Sequence, residues 1–558
     1  MRWRIFLVTL IGLALVACST VRALPTADVA GGTTYYVSQD SGSDGNTGTS
    51  ATDAWQTVAK VNSEGFAPGD TVLFERGNSW DEDLDIDDSG TAVHPITFSS
   101  YGSGTEPIIR RLTIDGDYTV FENITIDHQK LSGDTVRVRA QNVTLRDMIV
   151  RNGASDGIDA SDADGLLIDS VLIHHFLAGS FTNQQDAHGI VATDIQGLTI
   201  RNAEIHHVSG DSFQADPSRS VNVPMDILIE DAHFWTGPLD ADFNDWNVGE
   251  VPGENAIDTK VADDDDWPTA ARATFTIRNI VAHGWVNDDF ISNRAVFNMK
   301  EKIEAVFDGV TVYDAEIGFR IRGTRGNANV TIQNAVFYNL EKGIRAEDDL
   351  QNLTVYNSTF GGGIDTLVQT AGGAGGVGSW EWLNNAFLDS APPSQATDGS
   401  NKTAVSTDFV DAGGHDYHLA ASSTLLDVGA AIAAVATDRD GNGRPQGSSY
   451  DVGAYEFVSQ LQLVGSPDDE TIFLTWSVNT TLPVTATWQI VYDGPVGDQP
   501  SPISGLAAGT RSYALTGLTN YTLYDVTLNA MLSGAPVLTD TVSVMPTDLL
   551  VYLPVVQK

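Results

Sequence analysis

Cysteine and positive charge are both scarce in this chain of 558 residues. It contains a single cysteine, Cys18, which excludes a disulfide framework and a cysteine-ligated metal site. Lys and Arg number 30 against 74 Asp and Glu, for a net charge of −44. A surface this acidic repels phosphates, so nucleic acid is not expected as a partner. The hydrophobic share of 42 % is ordinary for a globular protein and argues against widespread disorder.

Long apolar runs are also missing, apart from a short one at the N-terminus. Two arginines precede an apolar segment at residues 5–17, which is too short to span a bilayer comfortably and is typical of an export signal. The segment from Leu15 to Cys18 resembles the lipobox of bacterial lipoproteins, in which the cysteine becomes the first residue and carries the lipid. Residues 1–18 are therefore expected to be a lipoprotein signal peptide, and the mature protein is expected to be lipid-anchored at the cell surface. An ordinary secretory signal with an incidental cysteine is the alternative.

Residues 123–375 repeat a short pattern of alternating apolar residues. Two copies lie 23 residues apart, beginning at Asn329 and Asn352, and others are separated by inserted loops. After most copies come two further short segments of the same kind, and helical periodicity is almost absent. Three strands per repeat at this period indicate one coil of a β-solenoid, whose coils must stack to bury their inner faces. The sequence therefore predicts an all-β fold built on a right-handed parallel β-helix.

The segments that flank the repeats are similar to bacterial β-helix proteins of the pectate-lyase superfamily. The segment led by Trp55 resembles the short amphipathic helix that caps the open end of those proteins, and the segment starting at Asp451 resembles their closing motif. This resemblance covers residues 34–457 and implies a capped β-helix over that range, preceded by a linker at 19–33.

A separate module is expected after the β-helix. Alternating segments in residues 460–546 look like a fibronectin type III β-sandwich. Tyr524, six residues after Leu518, stands where that family has its corner tyrosine. A tail at 547–558 follows.

The third segments of successive repeats can be aligned by the apolar residue that points into the solenoid, such as Ile257 or Phe319. Strand alternation then places the fourth and sixth residues of each segment outside, and stacking brings equivalent residues to about 4.8 Å. The fourth column reads Asp159, Val191, Gln214, Asp258, Asn298, Arg320, Arg345. The sixth column reads Ser161, Thr193, Asp216, Lys260, Lys300, Arg322, Glu347.

Cations gather in the middle of these two columns, and two interpretations are open. One is a ladder of ion pairs, in which Asp258 meets Lys260 and Lys300 while Arg320 and Arg322 meet Glu316 or Glu347. The other is a binding or catalytic groove, since like charges at this spacing repel unless something anionic joins them.

A groove of this kind suits an acidic polysaccharide built from uronic acids. Elimination across the C4–O4 bond requires the uronate carboxylate to be neutralised and a base to remove the C5 proton, which in β-helix lyases is typically Lys or Arg. The candidate catalytic residues are Lys260, Lys300, Arg320 and Arg322, and the candidate substrate-binding residues are His188, Gln214, Asn298 and Arg345. Carboxylates that could hold Ca²⁺ are Asp211, Asp216, Glu254, Asp258, Asp288 and Asp289.

Part of this pattern resembles family nine polysaccharide lyases, which have an Asp, then an Asn-x-Asp-Asp turn, then Gly-Phe-Lys. Here Asp258, the turn beginning at Asn287 and the Gly-Phe-Arg ending at Arg320 fall in that order. The basic residue is Arg rather than Lys, and the turn lacks the Gly and the third Asp of the family. The resemblance implies lyase chemistry with calcium, and a monomeric protein bound to an acidic polysaccharide is expected.

Two other functions remain open. A glycoside hydrolase needs paired carboxylates, which Asp186, Asp211 and Asp216 beside His188 could supply. A non-catalytic adhesin or polysaccharide-binding protein could use the same face for attachment. Finally, His174-His175 and His206-His207 occur in neighbouring repeats, and stacked pairs at a coil corner are favoured over a metal site.

Overall fold

A long parallel sheet forms most of the molecule. The computed structural model describes residues 31–216, 225–260, 272–287, 290–300, 302–322, 328–347, 350, 352–371, 379–480, 482–493 and 501–548. Thirty-one strands between Thr34 and Ala404 form one sheet that winds in coils of three strands, and strands in consecutive coils pair in parallel. The predicted parallel β-helix is confirmed. Cys18 and the tail lie outside the described residues, so the signal and lipid anchor stay predictions.

The elements of this region are short, as a three-stranded coil requires. In chain order they are β1 Thr34–Val37, α1 Val58–Ser63, β2 Thr71–Glu75, β3 Ser79–Ile86, β4 Ile96–Tyr101, β5 Ile108–Ile114, β6 Thr119–Glu122, β7 Thr125–Leu131, β8 Val136–Val138, β9 Thr144–Gly153, β10 Ile158–Ser161, β11 Leu167–Phe176, β12 Ala178–Ser180, β13 Asn183–Gln185, β14 Ile190–Thr193, β15 Leu198–Arg201, β16 Glu204–Val208, β17 Phe213–Asp216, β18 Asp226–Glu230, β19 His233–Trp235, β20 Asn255–Thr259, β21 Ala273–Arg278, β22 Val281–His283, β23 Ala295–Met299, β24 Ile303–Asp308, β25 Thr311–Arg322, β26 Asn329–Gln333, β27 Val336–Glu347, β28 Asn352–Tyr356, β29 Thr359–Phe360, β30 Ile364–Ala371, β31 Ser379–Leu383, β32 Ala386–Leu388, β33 Lys402–Ala404, β34 Phe409–Asp411 and β35 Asp416–Leu419. Single 3₁₀ turns lie at Ala51–Asp53, Ser406–Asp408 and Ala412–Gly414.

Each coil contributes a first, a second and a third strand, exemplified by β15, β16 and β17. Long strands bend around a corner and serve in two faces: β25 pairs with the second strand β22 and then with the third strand β23. Strands β12 and β13 form a separate antiparallel hairpin.

Asparagine makes the sharp corner between the first and second strands in several coils, and Asp, Ser or Gly makes it in others. Asn123, Asn202, Asn279, Asn334 and Asn357 occupy this corner with φ between 43° and 56°. Asn tolerates this left-handed conformation better than most residues with a side chain, because its short polar side chain can hydrogen-bond locally. The asparagine that precedes so many second segments in the sequence therefore has a direct structural role.

Apolar side chains fill the interior in columns. The inward residues of the third strands are completely buried, namely Ile158, Ile190, Phe213, Ile257, Phe297, Phe319 and Ile344. The rings of Phe297 and Phe319 lie with their centroids 4.7 Å apart. Burying one such side chain stabilises the fold by roughly 1.5–3 kcal/mol, so the columns account for much of the stability.

The open N-terminal end is covered by helix α1. It begins after Thr57, whose hydroxyl accepts a hydrogen bond from the Lys60 amide at 3.0 Å. Val58 and Val61 are fully buried, while Trp55 packs on Tyr35 with ring centroids 4.8 Å apart. The amphipathic helix predicted after Trp55 is therefore present.

Two antiparallel sheets follow the β-helix. One contains β36 Leu461–Asp468, β37 Thr471–Val478 and β40 Ser512–Thr516; the other contains β38 Thr487–Tyr492, β39 Ile503–Ala507, β41 Tyr524–Leu532 and β42 Ala535–Val544. They share one apolar core, in which Tyr524 is buried and its hydroxyl accepts a hydrogen bond from the Thr519 amide at 2.8 Å. The fibronectin type III assignment stays a prediction. No helix among the described residues is long and apolar enough to cross a membrane.

Candidate functional site

Outward residues of the third strands line up along the β-helix as the sequence predicts. The whole fourth column is paired coil by coil: Asp159, Val191, Gln214, Asp258, Asn298, Arg320 and Arg345. The sixth column is paired at both ends, through Ser161, Thr193 and Asp216 and through Arg322 and Glu347. Lys260 and Lys300 directly follow β20 and β23, so both lie on the same stripe.

Asp258 holds two ammonium groups together. The Nζ atoms of Lys260 and Lys300 each lie 2.8 Å from its Oδ2. The Asp258 side chain is 2 % exposed, and its Oδ1 has no hydrogen-bond partner among the described residues. Burial by itself would lower the pKa of Lys260, but the adjacent Asp258 carboxylate opposes it and the pKa is raised. Lys260 is therefore held in its charged form.

Asp211 lies behind this pair with no exposed surface. Its Oδ1 accepts a hydrogen bond from Asn255 Nδ2 at 2.7 Å, and its Oδ2 lies 4.0 Å from Lys260 Nζ. Burial raises the pKa of Asp211 well above its usual range, and the nearby Asp258 carboxylate raises it further. This carboxyl group is thus held toward its protonated form.

His188 supports Asp211 from the neighbouring coil. Its Nδ1 accepts a hydrogen bond from the Asp211 amide at 2.8 Å, and its own amide donates to Asp156 Oδ1 at 2.8 Å. Burial lowers the pKa of His188, so the ring is neutral with its proton on Nε2. Burial also raises the pKa of Asp156. The imidazole therefore positions a buried carboxyl group and has only 6 % of its side chain exposed.

Three arginines gather around one carboxylate farther along the stripe. Arg320 binds Glu347 through two contacts of 3.2 Å, Arg345 lies 2.5 Å from it and Arg322 lies 3.5 Å from it. Glu316 pairs with Lys342 at 3.1 Å instead. The predicted ion pairs of Asp258 and of Glu347 are therefore present, whereas the arginines do not pair with Glu316.

Among the described residues, the cations of this stripe outnumber the carboxyl groups that they contact. Five cationic side chains contact three carboxyl groups, and one of these, Asp211, is held toward its neutral form. The five are Lys260, Lys300, Arg320, Arg322 and Arg345. The first four of them line a cavity of about 220 Å³, the groove, together with Asn298 and Glu254, whereas Arg345 lies outside its lining. Burial raises the pKa of Glu254, which weakens the negative charge on that wall.

Known proteins resemble this chain mainly in fold. No protein-family model matches it. A lacto-N-biosidase from Bifidobacterium longum subsp. longum is 44 % identical over 91 residues, which cover 15 % of this chain and only 6 % of that protein. The solved pectate lyase Pel9A aligns over 76 % of this chain and 96 % of its own, with 16 % identity and a TM-score of 0.40. An alginate lyase from Paenibacillus sp. str. FPU-7 aligns over 57 % of this chain and 97 % of its own, with 16 % identity and a TM-score of 0.37.

The described carboxylates do not fit a calcium ion. Ca²⁺ takes six to eight oxygen ligands at 2.3–2.6 Å. Here two lysine ammonium groups occupy Asp258 Oδ2, and Asp211 is held toward its protonated form. No group of three carboxylates with ligand atoms within 4.8 Å of one another occurs among the described residues. Asp288 and Asp289 lie outside them, so calcium at that turn stays an untested prediction.

The remaining predicted residues lie around this centre. Asn298 is between Asp258 and Arg320 in the column, and Gln214 is on the other side of Asp258. Asp216 ends β17 at the partly exposed edge of the stripe. Gln214 and Asn298 are at most 9 % exposed, and one side-chain oxygen of each makes no hydrogen bond among the described residues. Asn298 lines the groove and can meet a ligand there, whereas Gln214 lies outside its lining.

Sequence reasoning missed the residues that build the wall opposite the stripe. Arg294 is 1 % exposed and donates to the carbonyls of Gly253 at 2.8 Å and Val286 at 3.0 Å. It thereby fixes two inserted loops beside the groove. Asn255, whose side chain donates to Asp211, is the first residue of an aligned third segment. The sequence therefore shows where Asn255 lies in the repeat, but it does not show that Asp211 is its partner.

Proposed function

We propose that this protein is a carbohydrate-active β-helix protein that binds an acidic, uronic-acid polysaccharide in the groove and cleaves it by β-elimination. The observation that carries the proposal is the clustering of five cations on one stripe of a chain whose net charge is −44. Clustered, partly buried cations favour an anionic ligand, because charge-assisted hydrogen bonds to a carboxylate replace the lost hydration.

The side chains divide into two roles in this proposal. Lys260, Arg320 and Arg322 neutralise the uronate carboxylate, since the raised pKa of Lys260 keeps it cationic and guanidinium groups bind carboxylates in a planar, two-point fashion. Lys300, which also lines the groove, is the base: it must first give its ammonium proton to solvent, and in its neutral form it takes the C5 proton. The C4–O4 bond then breaks, a C4–C5 double bond forms, and the leaving oxygen receives a proton from solvent.

The similarity to a lacto-N-biosidase supports a carbohydrate as the ligand, although the matching segment covers 6 % of that enzyme. It also supports a second candidate, glycoside hydrolysis. Asp211 and Asp258 lie 4.0 and 2.8 Å from the same Lys260 Nζ, and burial holds Asp211 toward its protonated form, as the acid of a carboxyl pair requires. Against this stands the burial of Asp211, which leaves no carboxyl surface for a substrate.

One experiment separates these candidates and the adhesin alternative. The protein is incubated with alginate, pectate and glycosaminoglycans, with and without calcium, and each reaction is followed by absorbance near 235 nm and by reducing-end release. Elimination gives both signals, and hydrolysis gives reducing ends without absorbance. Binding in a pull-down with neither signal supports a non-catalytic polysaccharide-binding protein. The proposal is wrong if none of the acidic polymers binds.

We also propose that the protein is exported and lipid-anchored at Cys18, and that residues 460–546 are a fibronectin type III module that spaces or assists the β-helix. The Cys18→Ser variant is expected to lose membrane retention, which fractionation of cells measures. Equal retention of the variant would contradict a lipid anchor.

A further inference from the structure

Four histidines come together on the second strands of two adjacent coils. His174 pairs in register with His206, and each is followed by a second histidine at the corner, His175 or His207. The rings of His174 and His206 stack with centroids 5.1 Å apart at an interplanar angle of 5°. Those of His175 and His207 stack at 5.0 Å and 23°. The stacked pairs predicted at a coil corner are confirmed.

The backbone conformation at this corner does not require histidine. His175 and His207 have φ of 60° and 51°. Other coils fill the same corner with short side chains or glycine in the same left-handed region: Asn152, Gly284, Asp314 and Asn339. These residue types adopt positive φ at the least cost, so the turn is equally well made without a ring. Two histidines in consecutive coils thus have a cause other than backbone geometry.

The imidazole nitrogens converge at this corner. His175, His206 and His207 each place a ring nitrogen within 4.8 Å of the other two. His206 Nδ1 lies 2.5 Å from His207 Nδ1. His207 is 6 % exposed, and its Nε2 makes no hydrogen bond among the described residues. The backbone of Gly237 and Pro238 lies beside this ring.

An inserted loop covers the cluster and brings a carboxylate to its edge. Leu239, Phe243 and Trp246 of this loop form a small apolar core with Leu177. Asp240 Oδ1 lies 3.9 Å from His175 Nε2, and the Asp240 side chain is 90 % exposed. The cluster is therefore buried on its inner side and open to solvent where the carboxylate stands.

We propose that His175, His206 and His207 bind one divalent transition-metal ion of the zinc class, with Asp240 or a water molecule as the fourth ligand. Three imidazoles with an oxygen donor form a familiar tetrahedral set for Zn²⁺, whereas Ca²⁺ and Mg²⁺ prefer oxygen ligands alone. The site lies on the second-strand face and is separate from the groove on the third strands. It would fasten the inserted loop to two coils.

The carbonyls near His207 can orient the ring by accepting its second N–H once a metal is bound. Binding also requires the two Nδ1 atoms to separate to about 3.3 Å, as two nitrogens at 2.0–2.1 Å around a tetrahedral ion must.

The test uses the full chain without a polyhistidine tag, stripped with EDTA and titrated with ZnCl₂ by calorimetry. We expect one zinc ion per chain, and a tetrahedral d–d absorption spectrum when Co²⁺ replaces it. His207→Asn and His175→Asn are expected to weaken zinc binding at least tenfold, while asparagine keeps the left-handed corner. His206→Gln tests the third ligand away from the corner.

His415→Asn is the matched control, because His415 also has a positive φ of 63° and stacks on a ring, that of Tyr338, outside the cluster. It is expected to bind zinc like the wild type, and thermal unfolding of each variant without metal establishes that it folds. The proposal is wrong if the wild type binds no zinc at micromolar concentrations. It is also wrong if the folded His207→Asn and His206→Gln variants bind as tightly as His415→Asn.

Discussion

Two outward columns of charged residues run along the β-helix, and they differ in how the charges follow one another. On the first strands, acid and base alternate at every coil: Glu122, Arg146, Asp169, Arg201, Glu230, Arg278 and Asp308. On the third strands the cations collect in neighbouring coils. Each arginine of the first column pairs with the acid of the preceding coil, so these cations need no partner from outside. Among the described residues of the third column, five cations contact three carboxyl groups, and such a cluster suits an anionic ligand.

Exposure separates the two columns as clearly as charge order does. The Arg278 side chain is 49 % exposed where it pairs with Glu230, whereas Lys300 is 13 % exposed where it pairs with Asp258. Exposed ion pairs contribute little to stability, because water competes with the partner. Buried charges are costly to leave unpaired. The comparison therefore predicts large effects of substitution in the third column and small effects in the first.

The largest effect is expected from Asp258→Ala. This change leaves the ammonium groups of Lys260 and Lys300 facing each other without their shared carboxylate, and breaking a buried pair in this way costs about 3 kcal/mol. Urea unfolding followed by circular dichroism measures the loss. Glu230→Ala removes the corresponding acid from the first column and is expected to cost much less. Equal losses in the two variants would remove the distinction between the columns.

Polysaccharide binding is expected to depend on the third column alone. Lys260→Ala and Arg320→Ala each remove a charge-assisted contact to a substrate carboxylate, for a loss of about 1.5–3 kcal/mol or roughly ten- to hundredfold in affinity. Affinity electrophoresis in gels containing the polymer measures it. Lys402→Ala, in the last strand of the β-helix, is the control and is expected to bind normally. If all three variants lose affinity equally, binding reflects overall charge and not the groove.

The pH dependence of stability gives a smaller and more specific effect. Because burial raises the pKa of Asp211, the folded state binds this proton more tightly than the unfolded state. The associated stability is fully present below the ordinary pKa of Asp and is lost as pH rises toward the raised value. Asp211→Asn removes this titration, so its stability relative to wild type is expected to increase between pH 4 and pH 7, by at most roughly 1.4 kcal/mol per pH unit. Unfolding midpoints in urea across this range measure it, and a constant difference would contradict a raised pKa.

The stripe could be predicted from sequence because strand alternation and coil stacking fix it. Once Ile257 and Phe319 were placed inside, the positions of Asp258 and Arg320 on one outward column followed, and both are paired through Asn298 as expected. The ion-pair partners of the arginines were harder to predict, because a long side chain can reach several neighbouring carboxylates. Glu316 and Glu347 were equal candidates for the arginines, and only the latter is used.

Residues supplied by inserted loops could not be predicted in the same way. Arg294 closes the groove by binding carbonyls of Gly253 and Val286, and no periodicity relates those three residues. The histidine pairs were visible in the sequence, but the loop that carries Asp240 to them lies more than thirty residues farther on. The periodicity of the solenoid therefore predicts which side chains the coils place on the surface. It does not predict which residues the inserted loops bring to them.

The smallest effect is expected from Arg278→Ala in the first column, and it completes the comparison. Arg278 Nε donates to Glu230 Oε2 at 2.7 Å, a contact as short as those made by the lysines on the third column. If short ion pairs by themselves determined stability, this substitution would be as damaging as one at Asp258. Because the arginine is half exposed, its loss is expected to change the unfolding free energy by less than about 1 kcal/mol and to leave polysaccharide binding unchanged. Urea unfolding and affinity electrophoresis of the variant, run beside Arg320→Ala, measure both. A loss of polymer binding as large as that of Arg320→Ala would mean that the ligand also contacts the first-strand face, and the site would then have to be extended around the corner of the coil.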